Sequence, residues 1–318
     1  MKNNFDNLYE DLLVSDSDKF NAIAEKAKKE KKICIIVFLI LAIIIDFFLF
    51  TRILNFSSGV NITGLMFVFV PILVIDIFLY VIVNLPFSKN RNKYNYEFKN
   101  IIIEKLLHNF YNKINYTPKL GMPRDIYCEA QYKEYFNRYY SDDYMSGFLD
   151  NKYPFKMAEV KTVEETTTTD SDGNTSTSTT TKFHGLFAQI EMNKSINSNL
   201  FIGANMFMPS KQKLEMDSRE FEKYFDVVAS NSIIGMQLLT HDIMELLISF
   251  KKLTGIKYDI SIYNNVMYLR FHTYSMFELK SIKKGAFDRE MLKKYYDVID
   301  FTYTLSKTII DLIEKTEI

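Results

Sequence analysis

Two long apolar runs dominate the first third of the chain. Residues 33–54 and 62–85 are mainly apolar over every side that a helix would present. A bilayer core is crossed by about 20 mainly apolar residues in a helix, whereas a helix at the surface of a globular domain shows a single apolar stripe. The pattern therefore predicts two transmembrane helices that form a hairpin over residues 33–86.

The charged residues around these runs predict the orientation of the hairpin. The basic flanks are Lys26, Lys28, Lys29, Lys31 and Lys32 before the first run, and Lys89, Arg91 and Lys93 after the second. The loop 55–60 between the runs carries no charge. Because basic flanks stay on the cytoplasmic side, we expect both the N-terminal helix with its basic flank, residues 1–32, and the C-terminal domain in the cytoplasm. The expected location is the plasma membrane, with the lipid bilayer as a partner.

Helical and strand spacing alternate through residues 90–318. Helices are expected at Tyr94–Tyr116, at Ile126–Tyr140, from an N-cap at Thr240 to a stop at Gly255, and at Asp288–Lys315. Strands are expected at Phe155–Thr169, Thr177–Met192, Leu200–Met208, Tyr224–Ala229, Lys257–Tyr263 and Val266–His272. The turn sequences Asp170–Asn174 and Asn264–Asn265 would close two hairpins. Strands joined by hairpins, with helices around them, predict a cytosolic α+β domain with an antiparallel sheet flanked by helices.

Charge and cysteine content narrow the class of protein. The chain has 39 basic and 39 acidic residues, so it lacks the basic excess of a general nucleic-acid binder, and no nucleic-acid partner is expected. Its two cysteines, Cys34 and Cys128, cannot form a disulfide framework, which fits a reducing compartment. Cys128 has no neighbouring catalytic group in the sequence, so we interpret it as a small buried residue.

The sequence shows no recognisable reaction centre. None of the four histidines lies within a few residues of another or of a cysteine, so zinc-ligand spacing is absent. The G-x-S-x-G, Walker and dinucleotide-binding patterns do not occur. We therefore expect no enzyme, no catalytic residue, no cofactor and no metal site. A hydrolase whose catalytic residues are scattered along the sequence stays open as a less favoured alternative.

Two acidic residues lie within the predicted spans. Asp46 and Asp76 would lie at depths that differ by about one helical turn, judged from the rise of about 1.5 Å per residue. Ionisable residues inside a membrane are candidates for function. The simpler interpretation is a pair of protonated acids that hydrogen-bond to neighbouring helices. In the alternative, they serve a small oligomeric assembly that transports ions or protons, with this chain as a homo-oligomeric subunit.

The order of several short motifs resembles a bacterial membrane-protein family, catalogued as domain of unknown function 3137. The motifs are Asp143-Tyr144-Met145-Ser146-Gly147, Ala158-Glu159-Val160, Phe183-His184-Gly185-Leu186-Phe187 and Phe221-Glu222-Lys223-Tyr224-Phe225. The resemblance covers nearly the whole chain and implies a plasma-membrane protein with a cytosolic domain. This family has no established activity, so the resemblance assigns no catalytic residue.

The first predicted hairpin brings two polar residues of these motifs together. Glu159 and His184 are expected to be cross-strand neighbours, either as a pair that faces a ligand or as a structural salt bridge, which is the simpler interpretation. Gly147 and Gly185 are expected to serve tight backbone geometry. The favoured function is a non-enzymatic, membrane-tethered adaptor or binding module, whose cytosolic domain recognises a partner protein or a small ligand.

Overall fold

The computed structural model describes residues 4–54, 73–81, 83, 91–204, 213–279 and 285–315. These residues form two compact units. The sheet unit comprises Met1–Glu10, Lys99–Glu278 and Asp288–Ile318, and the helical unit comprises Asp11–Phe98 and Leu279–Phe287. The division after Phe98 falls later than the predicted start of the C-terminal domain at residue 90. Moreover, the segment Leu279–Phe287 returns to the helical unit.

The sheet unit is built on one antiparallel sheet of eight strands in the order β1-β2-β3-β4-β8-β7-β5-β6. The strands are β1 (Ile114–Thr117), β2 (Arg138–Leu149), β3 (Tyr153–Thr169), β4 (Thr175–Glu191), β5 (Leu200–Gly203), β6 (Asp226–Ala229), β7 (Tyr258–Tyr263) and β8 (Val266–Phe271). With the helices described below, this sheet confirms the predicted α+β fold.

Helices cover one face of the sheet. They include α6 (His241–Thr254) and α7 (Arg289–Lys315). Phe250 of α6 and Phe301 of α7 stack with ring centroids 3.9 Å apart, and Phe301 also contacts the rings of Tyr258 and Phe271 on the sheet. The side chains that form this contact are buried, so apolar burial holds the two helices on the sheet.

The segment between β1 and β2 covers the other face. It contains the short helix α3 (Arg124–Glu129), whose buried Tyr127 packs against Phe183 and Phe187 of β4. Beside these rings, Arg270 of β8 forms ion pairs with Glu134 at 2.7 Å and with Asp259 at 2.6 Å. The ion pairs attach the 130–136 segment to the hairpin of β7 and β8.

The helical unit is built on most of α1 (Phe5–Leu54). Phe20 packs against the rings of Tyr94 and Phe287, and Phe38 contacts Tyr80 with ring centroids 5.6 Å apart. Within the described ranges, no single helix meets the length and apolarity criteria for a membrane span, whereas the bent pair α5 (Ser232–Leu238) and α6 meets them together, by length and composition, across a 68° bend. Most of the predicted second span, 62–85, lies outside the described residues, as does the 205–208 part of one predicted strand.

Two predicted helices are too long. The helix expected at Tyr94–Tyr116 is α2, residues 91–108, and its predicted last turn is instead strand β1. The helix expected at Ile126–Tyr140 is only α3, because Arg138 begins β2. In both places strand pairing in the sheet overrides a local pattern that also fits a helix. Cys128 is exposed rather than buried, because α3 turns Tyr127 inward instead.

The remaining turn and cap predictions are confirmed. The hydroxyl of Thr240 accepts a hydrogen bond from the Ile243 amide at the start of α6, and Gly255 ends this helix at φ 66°. Asn264 takes φ 55° in the turn between β7 and β8. A further short helix that the sequence did not predict, α4 (Arg219–Glu222), begins at a cap formed by Ser218. Local turn chemistry thus predicts where these elements begin and end.

Candidate functional site

A bulge in β2 places two acidic side chains at the centre of the site. The pairing of β2 with β3 shifts register between Asp142 and Met145, and Asp143 within the bulge takes φ 54°. Aspartate tolerates this left-handed conformation better than most residues. The amide of Asp143 donates to the carbonyl of Pro118, which fixes the bulge against the preceding loop. Asp143 is fully buried, and the neighbouring Asp142 reaches the surface.

A π-helical turn supplies the cation that faces Asp143. Helix α2 widens over Lys99–Ile103, and single turns of this kind are frequent at functional sites. The ammonium of Lys99 lies 2.6 Å from Asp143 Oδ2 and 2.6 Å from Glu278 Oε1. The hydroxyl of Tyr116 donates to Asp143 Oδ1 at 2.5 Å. Both oxygens of Asp143 therefore accept a hydrogen bond from a neighbouring side chain.

Glu159 holds the loop that follows β8. It lies opposite Asp142 in the sheet and is 4 % exposed. Its Oε1 accepts hydrogen bonds from the amides of Met276 and Phe277, the latter at 2.7 Å. One carboxyl oxygen has two lone pairs and can accept hydrogen bonds from both of these backbone donors, which no strand pairs. One side chain of β3 thus fixes the course of the 274–278 loop.

Burial and mutual repulsion shift the proton affinities of these acids. Burial, reinforced by the Asp143 carboxylate, raises the pKa of Glu159 to about 8 despite the two backbone donors. Burial also raises the pKa of Asp143 to about 6, against the opposing effect of Lys99. Burial raises the pKa of Asp142 as well. Glu159 is therefore mostly protonated at neutral pH.

An acidic cavity of about 400 Å³ opens beside this cluster. The side chains that matter for its chemistry are Asp142, Glu159, Lys161, His184, Ser275 and Glu278. Three of these are carboxyl groups and Lys161 is the single lysine. When the buried pair of Asp143 and Lys99 is also counted, four carboxyl groups lie in or beside the cavity against two lysines. The cavity is therefore suited to a group that carries positive charge.

His184 lines the same cavity as Glu159, but the two residues are not paired across the strands. His184 pairs with Lys161 across β3 and β4, whereas Glu159 pairs with Leu186. The imidazole Nε2 lies 3.5 Å from the hydroxyl of Ser275. Burial, and then the charge of Lys161, lowers the pKa of His184. Glu159 and His184 are therefore diagonal rather than directly opposite neighbours, two residues apart in register on one face of the sheet, and both line the same cavity.

The predicted membrane aspartates, Asp46 and Asp76, belong to the helical unit, whereas the residues of the acidic cavity belong to the sheet unit. Both are half-buried, and the Oδ1 atoms of Asp46 and Asp76 are buried without a hydrogen-bond partner. The contact of Phe38 with Tyr80 lies eight residues before Asp46 and four residues after Asp76. Each aspartate is thus within about 12 Å of this ring contact along its own helix.

Oxygens of Asp142, Asp143 and Glu159 lie within 4.8 Å of one another, a spacing that a divalent cation could bridge. Lys99 and Tyr116 already donate to Asp143, and backbone amides donate to Glu159. These donors use the oxygens that face them and leave Asp142 as the most open ligand. A divalent cation would therefore have to displace Lys99, Tyr116 or the backbone amides to bind all three residues.

Sequence reasoning missed Lys99, Asp142, Asp143 and Glu278 as site residues. Asp143 stands in one of the motifs that carry the family resemblance, and this was the available signal. Lys99 was hidden because it falls within a helix whose π-helical turn the sequence does not reveal. Gly185 and Gly147 have the tight surroundings predicted for them: an added Cβ would lie 1.8 Å from the carbonyl oxygen of Phe271 at Gly185, and 2.2 Å from that of Lys113 at Gly147.

Comparisons with known proteins agree with the resemblance in part. Residues 181–310 match a family described as a protein of unknown function (DUF3137). This match includes His184 and Glu278 but not Asp142 or Glu159. A search among curated proteins found no match. Among solved structures, the chain is similar to the mycobacterial trehalose monomycolate transport factor A, TtfA, with 6% sequence identity and a TM-score of 0.33, over 65% of this chain and 94% of that one. A similarity at this level carries no argument about function.

Proposed function

We propose that this protein is a non-enzymatic binding module, anchored in the plasma membrane, whose sheet unit holds a cationic side chain of a partner protein. The acidic cavity is the observation that carries the proposal. Asp142, Glu159 and Glu278 all line it, and Asp143 lies buried behind them. At neutral pH Glu159 is mostly protonated, but the three acids Asp142, Asp143 and Glu278 still outnumber the two lysines Lys99 and Lys161. A lysine or arginine side chain from a partner would balance the remaining negative charge.

The exposure of apolar side chains supports the membrane anchor. Between Ile33 and Phe48, large apolar residues are exposed on successive turns of α1, among them Ile43 at 68% and Phe47 at 66%. Leu73 and Phe78 in the helical segment 73–81 are similarly exposed. Contiguous apolar surface of this kind marks contact with a membrane or another protein. With the basic flanks, it favours a hairpin of two spans, with the N-terminus and the sheet unit on the cytoplasmic side.

Titration calorimetry with spermidine tests the acidic cavity on the purified full chain in detergent. Spermidine carries the ammonium groups that the proposal requires. Asp142→Asn is expected to weaken its binding about tenfold, the effect of losing one charged hydrogen bond. Asp172→Asn, at the exposed tip of the β3–β4 hairpin, removes the same charge elsewhere and should leave the affinity unchanged. Equal affinity of the Asp142→Asn variant and the wild type would remove the cavity from the proposal.

Proton release gives a second readout of the same titration. Glu159 is mostly protonated at neutral pH, and a cation beside it should displace its proton. The heat of spermidine binding should therefore depend on the ionisation enthalpy of the buffer in the wild type. This dependence should be reduced in Glu159→Gln, which keeps the acceptor oxygen for the two amides. An unchanged buffer dependence in the variant would show that Glu159 does not respond to the ligand.

The buried, unpartnered Oδ1 atoms of Asp46 and Asp76 favour a second candidate function. Such groups in a membrane are typical of ion and proton pathways. In this alternative the chain forms a homo-oligomer that conducts protons or cations. Proton flux into proteoliposomes should then fall in Asp46→Asn and Asp76→Asn, relative to Asp172→Asn. Flux equal to that of the wild type in both variants would leave the aspartates with a packing role.

A further inference from the structure

We propose that one side of α1 binds the anionic headgroups of membrane lipids. This lysine face consists of Lys28, Lys29 and Lys32, which are all exposed. Lys32 follows the other two by four and by three residues, so the three side chains are neighbours on one side of the helix. The inference rests on the membrane anchor of the proposed function and adds the class of lipid that surrounds it.

The lysine face carries positive charge that the protein does not balance. Residues 25–32 contain five lysines and two glutamates, which gives a net charge of +3. Glu25 is the glutamate on the same side, one turn earlier, and it is exposed as well. Within the described ranges, the side chains of Lys28, Lys29 and Lys32 form no ion pair and no hydrogen bond. Three adjacent cations are therefore available to an anion from outside the chain.

The same side of α1 becomes apolar directly after the lysine face. Helix α1 is continuous from Phe5 to Leu54, so the two surfaces belong to one helix. The exposed side chains that follow Lys32 on this side, at steps of three or four residues, are Ile36, Leu39, Ile40, Ile43 and Phe47. An apolar stripe that begins where a basic one ends is typical of a helix that enters a membrane through its headgroup layer.

The lysines would lie at the depth of the lipid phosphates. At a rise of about 1.5 Å per residue, Lys32 and Lys28 lie roughly 1.5 and 8 Å before Ile33, where the exposed apolar surface begins. The headgroup region on each side of a bilayer is roughly 5–8 Å thick. A lysine ammonium is a compact charge that suits the tetrahedral oxygens of phosphate. The position of the lysine face thus matches the layer that contains the anionic groups.

The helical unit occupies the opposite side of this part of α1. Ala24 and Ala27 are buried, and Phe20 packs against the rings of Tyr94 and Phe287. The lysine face is therefore directed away from the contacts within the unit. An acidic partner protein could balance the same lysines, but the apolar stripe that continues from them favours the surface of a lipid bilayer.

Electron spin resonance of spin-labelled lipids tests the lysine face on the full chain in phosphatidylcholine vesicles. The spectra compare how strongly spin-labelled phosphatidylglycerol and spin-labelled phosphatidylcholine associate with the protein. A basic residue near the membrane surface strengthens the attraction of anionic lipid about fivefold. We therefore expect the wild type to favour phosphatidylglycerol about fivefold over phosphatidylcholine, averaged over the lipids in contact with it. The variant Lys28→Gln/Lys29→Gln/Lys32→Gln should lose this preference.

A second triple variant controls for the change in net charge. Lys113→Gln/Lys223→Gln/Lys257→Gln removes the same charge at exposed positions of the sheet unit. It should keep the wild-type preference, because none of its lysines lies on α1.

Flotation of the vesicles separates failure of the anchor from failure of the lysine face. A full chain that does not float with the vesicles would overturn both the anchor and this inference. A wild type that floats but associates equally with the two lipids would overturn the inference alone, and so would an equal loss of preference in the two triple variants.

Discussion

Lys99 is the residue on which the buried acids depend most directly. Its side chain is 6% exposed and contacts both Asp143 and Glu278. Although burial opposes the charge, the two carboxylates raise the pKa of Lys99 above its ordinary value. The paired charge is thus retained inside the sheet unit. The same residue begins the sheet unit after Phe98, and Glu278 precedes the segment that returns to the helical unit.

Replacing Lys99 should destabilise the protein strongly. Lys99→Met leaves Asp143 buried with Tyr116 as its remaining side-chain donor, and the loss of one partner of a buried ion pair costs about 3–5 kcal/mol. Chemical denaturation of the full chain in detergent measures this change. In the exposed pair of Lys19 and Glu97, at 3.2 Å, Lys19→Met should cost at most about 1 kcal/mol. Similar losses in the two variants would contradict a special role of the buried pair.

Glu159 should make stability decrease as pH rises. Its pKa is about 8 in the folded protein and near 4.5 when exposed. Between these values the unfolded chain has released the proton and the folded chain has not, so the free energy of unfolding falls by at most about 1.4 kcal/mol per pH unit. Asp142 and Asp143 add to this decrease because their pKa values are also raised. Denaturation between pH 5 and 8, values chosen roughly to span this window, should show a smaller decrease for Glu159→Gln than for the wild type. An identical decrease would contradict the raised pKa.

At the scale of elements, the close contact between β4 and the end of β8, with the loop that follows it, depends on Gly185. A Cβ there would lie 1.8 Å from the carbonyl oxygen of Phe271 and 2.7 Å from the amide nitrogen of Thr273. Since both atoms belong to the backbone, Gly185→Ala must displace the loop that Glu159 holds. We expect a loss of about 3 kcal/mol or more in the free energy of unfolding, at the upper end of overpacking effects.

The hairpin tip offers a matched glycine for this measurement. Gly173 has φ 83° and no atom within 4 Å of an added Cβ. Gly173→Ala should therefore cost only about 1–2 kcal/mol, the strain of a left-handed conformation. Denaturation curves of the two alanine variants compare a steric cost with a conformational one. A smaller loss for Gly185→Ala than for Gly173→Ala would contradict the close approach at β4.

The elements that sequence predicted well are those with local signals. The β3–β4 and β7–β8 hairpins, the cap at Thr240 and the C-terminal helix follow from turn residues and apolar spacing. Strand β2 escaped prediction because its residues do not alternate cleanly and its bulge interrupts the register. The site depends on that bulge and on the π-helical turn of α2. Among the residues of the acidic cavity, the sequence therefore predicts only Glu159 and His184 as site residues.

At the scale of the whole molecule, the proposed function joins an apolar membrane anchor to a sheet unit that carries the acidic cavity. Asp142, Glu159 and His184 line this cavity. A module of this kind would hold its partner at the membrane surface through contacts of the sheet unit, while the hairpin supplies the anchor.

Affinity purification from carbonate-washed membranes tests this account most directly. The full chain, its Asp142→Asn variant and its Asp172→Asn variant are each purified, and mass spectrometry quantifies the proteins that accompany them. We predict that all three chains remain in the washed membranes, and that one partner accompanies the wild type and Asp172→Asn but is depleted from Asp142→Asn. The account is contradicted if the chain is removed by the carbonate wash, or if the accompanying proteins are the same in all three.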